Sequence, residues 1–290
     1  MFRRIRNGWE LTKKSWAVLK GNPGLVRFPV TGAVVAIAVF ILTVVPGIVL
    51  LAIDQTAANV AGVGLIVLGG LLLAFTVIFF GVALAHNADR LLAGEKPGFG
   101  EGVSLARQRT GPIFAWAVIS TVVGTIIQML QEKLGLAGAI LGGLAGAAWG
   151  ILTFLAIPVI AIEGTGGFTT VKRCTQLIKS RWGEQITGTI AIGGILFLIG
   201  FLPAILVIAG GIALIAGPGL TAAGVPLILI GALAIAVFAV VNKALVTIFG
   251  VALYRYVAED KVVAGFTAEE LAASVSTKGG MPPGVAGTTI

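Results

Sequence analysis

The segment GGFTTVKRCTQLIKSRWGEQ, residues 166–185, contains two Lys and two Arg in a chain in which only 11% of residues are charged. The runs that flank it, 134–162 and 185–242, contain no charged residue at all. With 57% hydrophobic residues and a mean hydropathy of +1.05, the chain departs from soluble domains, in which about 25% of residues are charged. The composition therefore predicts an integral membrane protein in which the basic segment lies outside the hydrocarbon.

Five uncharged runs are long enough to cross a bilayer as helices, because about 20 helical residues cross about 30 Å of hydrocarbon. Four of the runs predict one span each, and the fifth predicts two spans joined by a turn at GPGLTAAG, 217–224. The fold class predicted is an all-α membrane protein with six transmembrane helices in three hairpins. The runs are 28–53, 60–86, 110–131, 134–162 and 185–242.

The basic residues are distributed unevenly between alternate loops. Eighteen of the 20 Lys and Arg lie in 1–29, 87–110, 163–185 and 255–290, whereas the opposite loops contain only Lys133. Under the positive-inside rule this predicts a multi-pass protein of a prokaryotic plasma membrane with both termini in the cytoplasm. The same rule explains the pI near 10.0 without a nucleic-acid partner. The polar N-terminal segment predicts no cleavable signal peptide, and the single cysteine predicts no intrachain disulfide.

Each predicted hairpin follows a segment with helical periodicity. In the segment that begins at Phe168, apolar residues recur every three or four positions through Cys174 to Trp182, so one face of a helix is apolar. The pentapeptide FGVAL occurs at 80–84 and again at 249–253, which indicates an internal repeat. The predicted organisation is a single membrane domain, 1–266, with repeat units 2–90, 99–163 and 168–257, then a short amphipathic segment and a disordered tail, 267–290.

We expect the helix at the start of each unit to be amphipathic and to lie at the inner membrane surface, with its basic side chains against anionic lipid headgroups. Two alternatives are ordinary inner loops whose charge only sets the topology, and re-entrant helices that dip into the bilayer. The headgroup-binding candidates are Arg3, Arg4, Arg6, Lys13, Lys14, Arg107, Arg109, Lys172, Arg173, Lys179 and Arg181.

Glycine recurs at every fourth position of the fourth apolar run, at Gly138, Gly142, Gly146 and Gly150. Such a glycine zipper predicts helix packing, because two backbones approach closely where side chains are missing. The approach could occur within one chain, between copies in a homo-oligomer, or along a pore. An unknown membrane or cytoplasmic protein partner is a further candidate.

Four polar residues within or at the ends of the apolar runs are intramembrane site candidates: Asn242, Lys243, Glu163 and His86. A charge at the centre of a span costs roughly 2.5–3.5 kcal/mol on insertion scales, so Lys243 either snorkels to the interface or is paired or faces a cavity. Glu163 and Asp89 are its candidate partners. His86 and Asp89 are an i, i+3 pair, for which a structural role and a proton relay are the two interpretations.

Two stretches resemble the signature segments of an uncharacterised family of bacterial and archaeal integral membrane proteins: IRNGWELTKKSWAVLKGNPGLVRFP, 5–29, and TTVKRCTQLIKSRWGEQITG, 169–188. The resemblance covers residues 1 to about 266 and implies a multi-pass plasma-membrane protein with no catalytic residue to transfer. More loosely, VKRCTQLIKSRW resembles the membrane domain of some glycerophosphodiester phosphodiesterases and YciC-like proteins. The phosphodiesterase barrel is missing from this chain, so that activity is not implied.

The sequence contains no recognisable catalytic, cofactor-binding or metal-ligating pattern, so we expect a non-enzymatic protein without a cofactor or a metal. The first hypothesis is a membrane scaffold that interacts with lipid through its basic helices. The alternative is a channel or small-solute transporter with a site near Lys243. An enzyme that acts on lipid is a third hypothesis, with few general acid or base candidates to support it.

Overall fold

The computed structural model describes residues 2–53, 55–133, 135–182, 202–216, 221–263 and 266–267. Within these ranges the regular elements are helices, and no strand occurs. The α-helices are α1 (Phe2–Gly21), α2 (Arg27–Val39), α3 (Val45–Leu51), α4 (Thr56–Leu92), α5 (Phe99–Gln108), α6 (Thr110–Lys133), α7 (Gly135–Thr153), α8 (Ala156–Glu163), α9 (Phe168–Trp182), α10 (Leu202–Ala216) and α11 (Thr221–Glu259).

Four helical segments in the described part of the chain are long and apolar enough to cross a membrane: Pro23–Leu51, Thr56–Leu92, Thr110–Lys133 and Gly224–Glu259. A shorter apolar helix covers Leu202–Ile215. The all-helical class is confirmed, whereas the count of six spans is not. Much of the predicted fifth span and the turn at 217–220 lie outside the described residues, as does most of the predicted tail, 268–290.

The fourth apolar run forms two helices rather than one continuous span. Helix α7 ends at Thr153 and α8 begins at Ala156. Pro158 explains the break, because a proline ring clashes with the carbonyl of the residue four positions earlier, here Phe154, and has no N–H to donate to it. The first span is also irregular: a π-helical segment, Phe40–Val44, lies just before Pro46 and joins α2 to α3.

The helices pack most tightly at one end of the bundle, which we call the packed end. It consists of 82–92 of α4, 155–163 (α8 and the residue before it) and 244–259 of α11. Val82, Leu155, Ile160, Ile248 and Val251 are completely buried there. Both FGVAL copies lie at this end, and in each copy the four residues after the phenylalanine are buried. Small residues in matching places, Gly81 and Gly250, let α4 and α11 approach α8.

Away from the packed end, large apolar side chains cover the outside of the molecule. Leu42, Val60 and Leu144 expose 74%, 70% and 65% of their surface, and many neighbours on the same helices are exposed too. A soluble monomer rarely has such wide apolar patches, whereas hydrocarbon solvates them at no cost. The distribution of exposure is that of a multi-pass membrane protein.

Three further helices, α1, α5 and α9, pack onto the packed end, and we call them the docked helices. Helix α5 packs on α4 and α9 packs on α8, the helix that precedes each in the chain. Helix α1 packs on α11, so the first helix contacts the last. We call α4, α8 and α11, the helices that end the three predicted units, the returning helices. Each docked helix therefore rests on the returning helix of a different predicted unit.

Candidate functional site

Arg255 joins two returning helices at the packed end. Its Nε and Nη2 atoms donate to Asp89 Oδ1 and Oδ2 at 2.6 and 2.5 Å, and its Nη1 also donates to Glu259. The Asp89 side chain is only 12% exposed, so this two-point contact is shielded from water. A bidentate arginine–carboxylate pair fixes orientation as well as distance, and it therefore holds α4 and α11 in register.

Glu163, the last residue of α8, is the second junction. Both of its carboxylate oxygens accept from Arg173 Nε of α9, at 2.7 and 2.9 Å, and Oε1 also accepts from the Tyr254 hydroxyl of α11 at 2.7 Å. Because the hydrogen bond to Glu163 favours its charged form, the pKa of Arg173 is raised above its usual range. One carboxylate thus connects three helices.

A third polar cluster holds the turn between α4 and α5. Arg90 contacts both Glu95 and Glu101, and Glu101 Oε1 accepts from the backbone N–H of Gly98 at 2.9 Å. These contacts, led by the one to Gly98, lower the pKa of Glu101. Asn87 Nδ2 donates to the Gly98 carbonyl at 2.9 Å, which ties the turn to the buried end of α4.

The carboxylates of these clusters are bound by arginine or tyrosine, which suits a structural role better than acid–base chemistry. In the described ranges, no group of three His, Cys, Asp or Glu is placed to hold a metal ion. Cys174 of α9 is buried, and burial raises the pKa of its thiol to about 12. A thiol with that pKa is a poor nucleophile at neutral pH.

Neither predicted partner of Lys243 contacts it, because Asp89 and Glu163 are engaged by the arginines described above. Lys243 precedes Arg255 by twelve helical residues, about 18 Å along the axis, so its ammonium does not reach the ion pairs of the packed end. His86 is half-buried beside this end, and the Oδ1 atom of Asn242 is buried with no hydrogen-bond partner in the described part of the structure.

Instead, Lys243 lines a cavity of about 240 Å³, which we call the Lys243 cavity. Its walls are formed by residues from three segments: 29–36 of α2, 77–84 of α4 and 236–243 of α11. Among the described residues that line it, Lys243 is the one charged residue, and the others are apolar side chains or glycine. The Lys243 side chain points towards α4, since a Cβ atom added at Gly81 would lie 3.7 Å from Lys243 Cε.

The predicted headgroup-binding residues are placed differently from one another. Lys172 and Lys179 of α9 are exposed, opposite the buried Cys174, Leu177 and Ile178. Lys13 and Arg107 are exposed as well, and Lys14 and Arg109 are half-buried. The side chains of Arg3, Arg4, Arg6 and Arg181 lie outside the described part of the structure.

Arg173 and Phe168 depart from the sequence interpretation of α9. Arg173 binds Glu163 rather than facing outward with the lysines. Phe168, expected on the apolar stripe, is 80% exposed, whereas Phe99 packs against Phe28 with ring centroids 4.6 Å apart and Phe266 is buried. Each of these three phenylalanines follows a glycine in the sequence, but the three are not equivalent in the fold.

Among Gly142, Gly146 and Gly150, the first packs closest to a neighbouring helix, against the Gln131 side chain of α6. A Cβ atom added at Gly146 would lie 3.9 Å from Ile127, and one added at Gly150 would have no atom within 4 Å. Gly138 is buried. Closer backbone contacts occur in two other hairpins. Added Cβ atoms at Gly62 and Gly224 would lie 2.7 and 2.6 Å from the carbonyl oxygens of Gly47 and Gly211.

The fold and the polar clusters define a multi-pass α-helical membrane protein whose returning helices are joined by ion pairs. A model of a family of unknown function, DUF6159, matches residues 60–266, and the chain belongs to this family. The predicted membership of an uncharacterised family is thereby confirmed. Comparison with curated proteins and with solved structures finds no match, and the likeness to phosphodiesterase membrane domains and YciC-like proteins gains no support.

Proposed function

We propose that this chain is a non-enzymatic scaffold of a prokaryotic plasma membrane, in which the docked helices bind anionic lipid headgroups at the cytoplasmic surface. The proposal includes six spans in three hairpins and cytoplasmic termini. It takes the packed end as the cytoplasmic end, because 18 of the 20 Lys and Arg belong to segments that the positive-inside rule assigns there.

The arrangement of α9 is the observation that carries the proposal. Its buried face, with Cys174 and Ile178, packs on the bundle, and Lys172 and Lys179 are directed away from it. A helix held in this way presents ammonium groups at the level where headgroups lie, without needing lipid to order it. Each lysine near an anionic surface contributes about 1 kcal/mol of attraction.

The test measures which lipids the protein retains. The full chain is reconstituted with equal amounts of phosphatidylglycerol and phosphatidylcholine, extracted in mild detergent, and its bound lipid is quantified. We expect the wild type to retain phosphatidylglycerol preferentially. In the Lys172→Gln/Lys179→Gln variant, we expect this preference to fall by about fivefold for each lysine removed.

Lys133→Gln is the matched control, because Lys133 is exposed and lies at the C-terminal end of α6, in the predicted outer loop. Its removal leaves the docked helices intact and is expected to lower the preference for phosphatidylglycerol less than the double substitution does. The proposal would be contradicted if the wild type and the double variant retained equal amounts of phosphatidylglycerol. It would also be contradicted if Lys133→Gln lost as much phosphatidylglycerol as the double variant.

A channel or transporter is the alternative, and the Lys243 cavity is the observation that favours it. A transport path needs polar groups across the whole bilayer, whereas the lining of this cavity is apolar apart from Lys243. Flux of small solutes into proteoliposomes distinguishes the two functions, and we expect none above the rate of protein-free vesicles.

A further inference from the structure

Lys243 is an ionisable residue that lines an apolar cavity. In the described part of the structure its ammonium makes no hydrogen bond and no ion pair, and the neighbouring walls offer it only hydrocarbon and glycine. An unpaired ammonium in such a place is costly, and ionisable residues inside membrane segments are therefore functional candidates by default. The arrangement favours a ligand that brings a negative charge.

The cavity opens towards the lipid-facing surface of the molecule. Gly81 and Leu84 of α4 form a buried floor, whereas Val77, Ala33 and Ala239 around it are exposed. The exposed residues lie on helices that present apolar surface to hydrocarbon. A ligand that enters between α2 and α11 therefore comes from within the bilayer and carries a hydrocarbon chain.

The depth of Lys243 distinguishes between acid groups. Gly81, which lies beside Lys243 Cε, precedes Asp89 by eight helical residues, so along α4 the end of the Lys243 side chain is about 12 Å short of the level of Asp89. A phosphodiester remains charged and stays at the membrane surface. A carboxylic acid can lose its charge in hydrocarbon, because burial raises the pKa of a carboxyl group, and so it can reach this depth. There it transfers its proton to the uncharged Lys243 amine, which leaves a carboxylate beside an ammonium.

The volume favours a single chain over a two-chain lipid. At about 240 Å³ the cavity is slightly smaller than the roughly 300–1,000 Å³ of sites for drug-sized ligands. It accommodates an acid group and the first part of one hydrocarbon chain, and the remainder of that chain extends through the lateral opening into the bilayer.

We propose that the Lys243 cavity is a binding site for a long-chain fatty acid, whose carboxylate pairs with the Lys243 ammonium and whose chain lies against 29–36 of α2 and 236–240 of α11. The site is separate from the docked helices and goes beyond their proposed role in headgroup binding.

Binding of radiolabelled oleate to the full chain in phosphatidylcholine nanodiscs tests this proposal. We expect saturable binding by the wild type, competition by unlabelled oleate, and no competition by oleyl alcohol, which has no charge. Lys243→Met is expected to weaken binding by at least about tenfold, because a charge-assisted pair is lost.

Two phenylalanine substitutions on α11 test the location. Ala239→Phe places a ring in the cavity and is expected to abolish saturable binding. Ala234→Phe, also exposed but outside the cavity lining, is the matched control and is expected to bind like the wild type. The melting temperature without oleate should be no lower in Lys243→Met than in the wild type, so lost binding cannot be ascribed to unfolding.

Three results would overturn the proposal: unchanged affinity in Lys243→Met, equal binding by the two phenylalanine variants, or displacement of oleate by phosphatidylglycerol at lower concentration than by oleate itself. The last result would assign the cavity to an anionic phospholipid. The Lys172→Gln/Lys179→Gln variant should bind oleate normally, so the two proposals can fail independently.

Discussion

Arg255 is the residue on which the contact between α4 and α11 depends most directly. Its guanidinium contacts carboxylates of both helices at once, Asp89 across the interface and Glu259 one turn further along its own helix. Lysine could not replace it, because a single ammonium cannot make the parallel two-point contact with Asp89. The geometry suits an interface that must keep one register.

Removal of the Arg255 charge should therefore destabilise the protein strongly. We expect Arg255→Met to lower the free energy of unfolding by about 3–5 kcal/mol, because Asp89 is left almost buried without a cation. Thermal unfolding in detergent measures the effect, and Asp89→Asn added to Arg255→Met should recover part of it. Glu95→Gln, which removes a half-exposed partner of Arg90, should cost under about 1 kcal/mol. If Arg255→Met and Glu95→Gln lowered the free energy of unfolding equally, the role of Arg255 in joining α4 and α11 would be contradicted.

The Cys174 thiol should be chemically inert in the folded protein. It is completely buried and its pKa is raised to about 12, so very little reactive thiolate is present at pH 8. We expect maleimide to label the native protein at least about 100-fold more slowly than a Ser104→Cys variant, whose new thiol is exposed. Full labelling should follow denaturation, and rapid labelling of the native wild type would show that α9 does not stay docked.

At the residue scale, the sequence indicated which polar residues are unusual but not how they pair. Lys243 stood out because it interrupts an apolar run, and the structure places it in a cavity. Arg255 and Tyr254 were overlooked because they lie at the end of a span, where polar residues are expected. Asp89 and Arg255 are 166 positions apart, so local spacing contained no sign of their contact.

Glycine pairs make close backbone contacts between two pairs of neighbouring helices. Gly47 of α3 faces Gly62 of α4, and Gly211 of α10 faces Gly224 of α11. In both cases an added Cβ would lie under 3 Å from the opposite carbonyl oxygen, so neither position can accept a side chain without movement of a backbone. The two contacts lie at similar distances from their turns, which fits the predicted internal repeat.

Substitution at one of these contacts should separate the helices. We expect Gly62→Val to destabilise the protein by about 1–3 kcal/mol through overpacking, seen as a melting temperature lowered by several degrees. Gly64→Val on the same helix is the matched control, because no atom lies within 4 Å of its added Cβ. Similar melting temperatures for the two variants would show that the α3–α4 contact is not tight.

The elements were predicted with mixed success, for physical reasons that concern proline and glycine. Apolar length was sufficient to predict the long helices, including Thr56–Leu92 and Thr221–Glu259. The break before Pro158 was not predicted, because a proline can kink a span or interrupt it depending on its neighbours. The regular glycine spacing drew attention to α7, whereas close backbone contacts also occur at single glycines elsewhere, such as Gly62 and Gly224.

In the described part of the chain, each of the three docked helices packs on one of three returning helices. Helix α5 rests on α4, α9 on α8 and α1 on α11, while α4, α8 and α11 contact one another. The sequence indicated three repeating units from periodicity and from FGVAL. It did not indicate that α1 packs on α11, because neighbours in the chain are the default expectation for short connections.

The proposed topology makes opposite predictions for two turns, tested in a Cys174→Ala background. Lys96→Cys, in the exposed turn between α4 and α5, should be labelled by a membrane-impermeant maleimide only after cells are opened. Ala57→Cys, exposed at the start of α4, should be labelled in intact cells. Both assignments follow from the positive-inside rule. Labelling of Lys96→Cys in intact cells would reverse the orientation.

The contact between α1 and α11 also has a consequence for biosynthesis. Roughly 200 residues separate these helices, so at about 5–20 residues per second the ribosome needs roughly 10–40 s to supply the partner of α1. Throughout that interval α1, whose Leu11 and Leu19 are buried in the finished protein, lacks its contact with α11. The nascent chain must shelter them against the lipid surface or the insertion machinery until translation is almost complete.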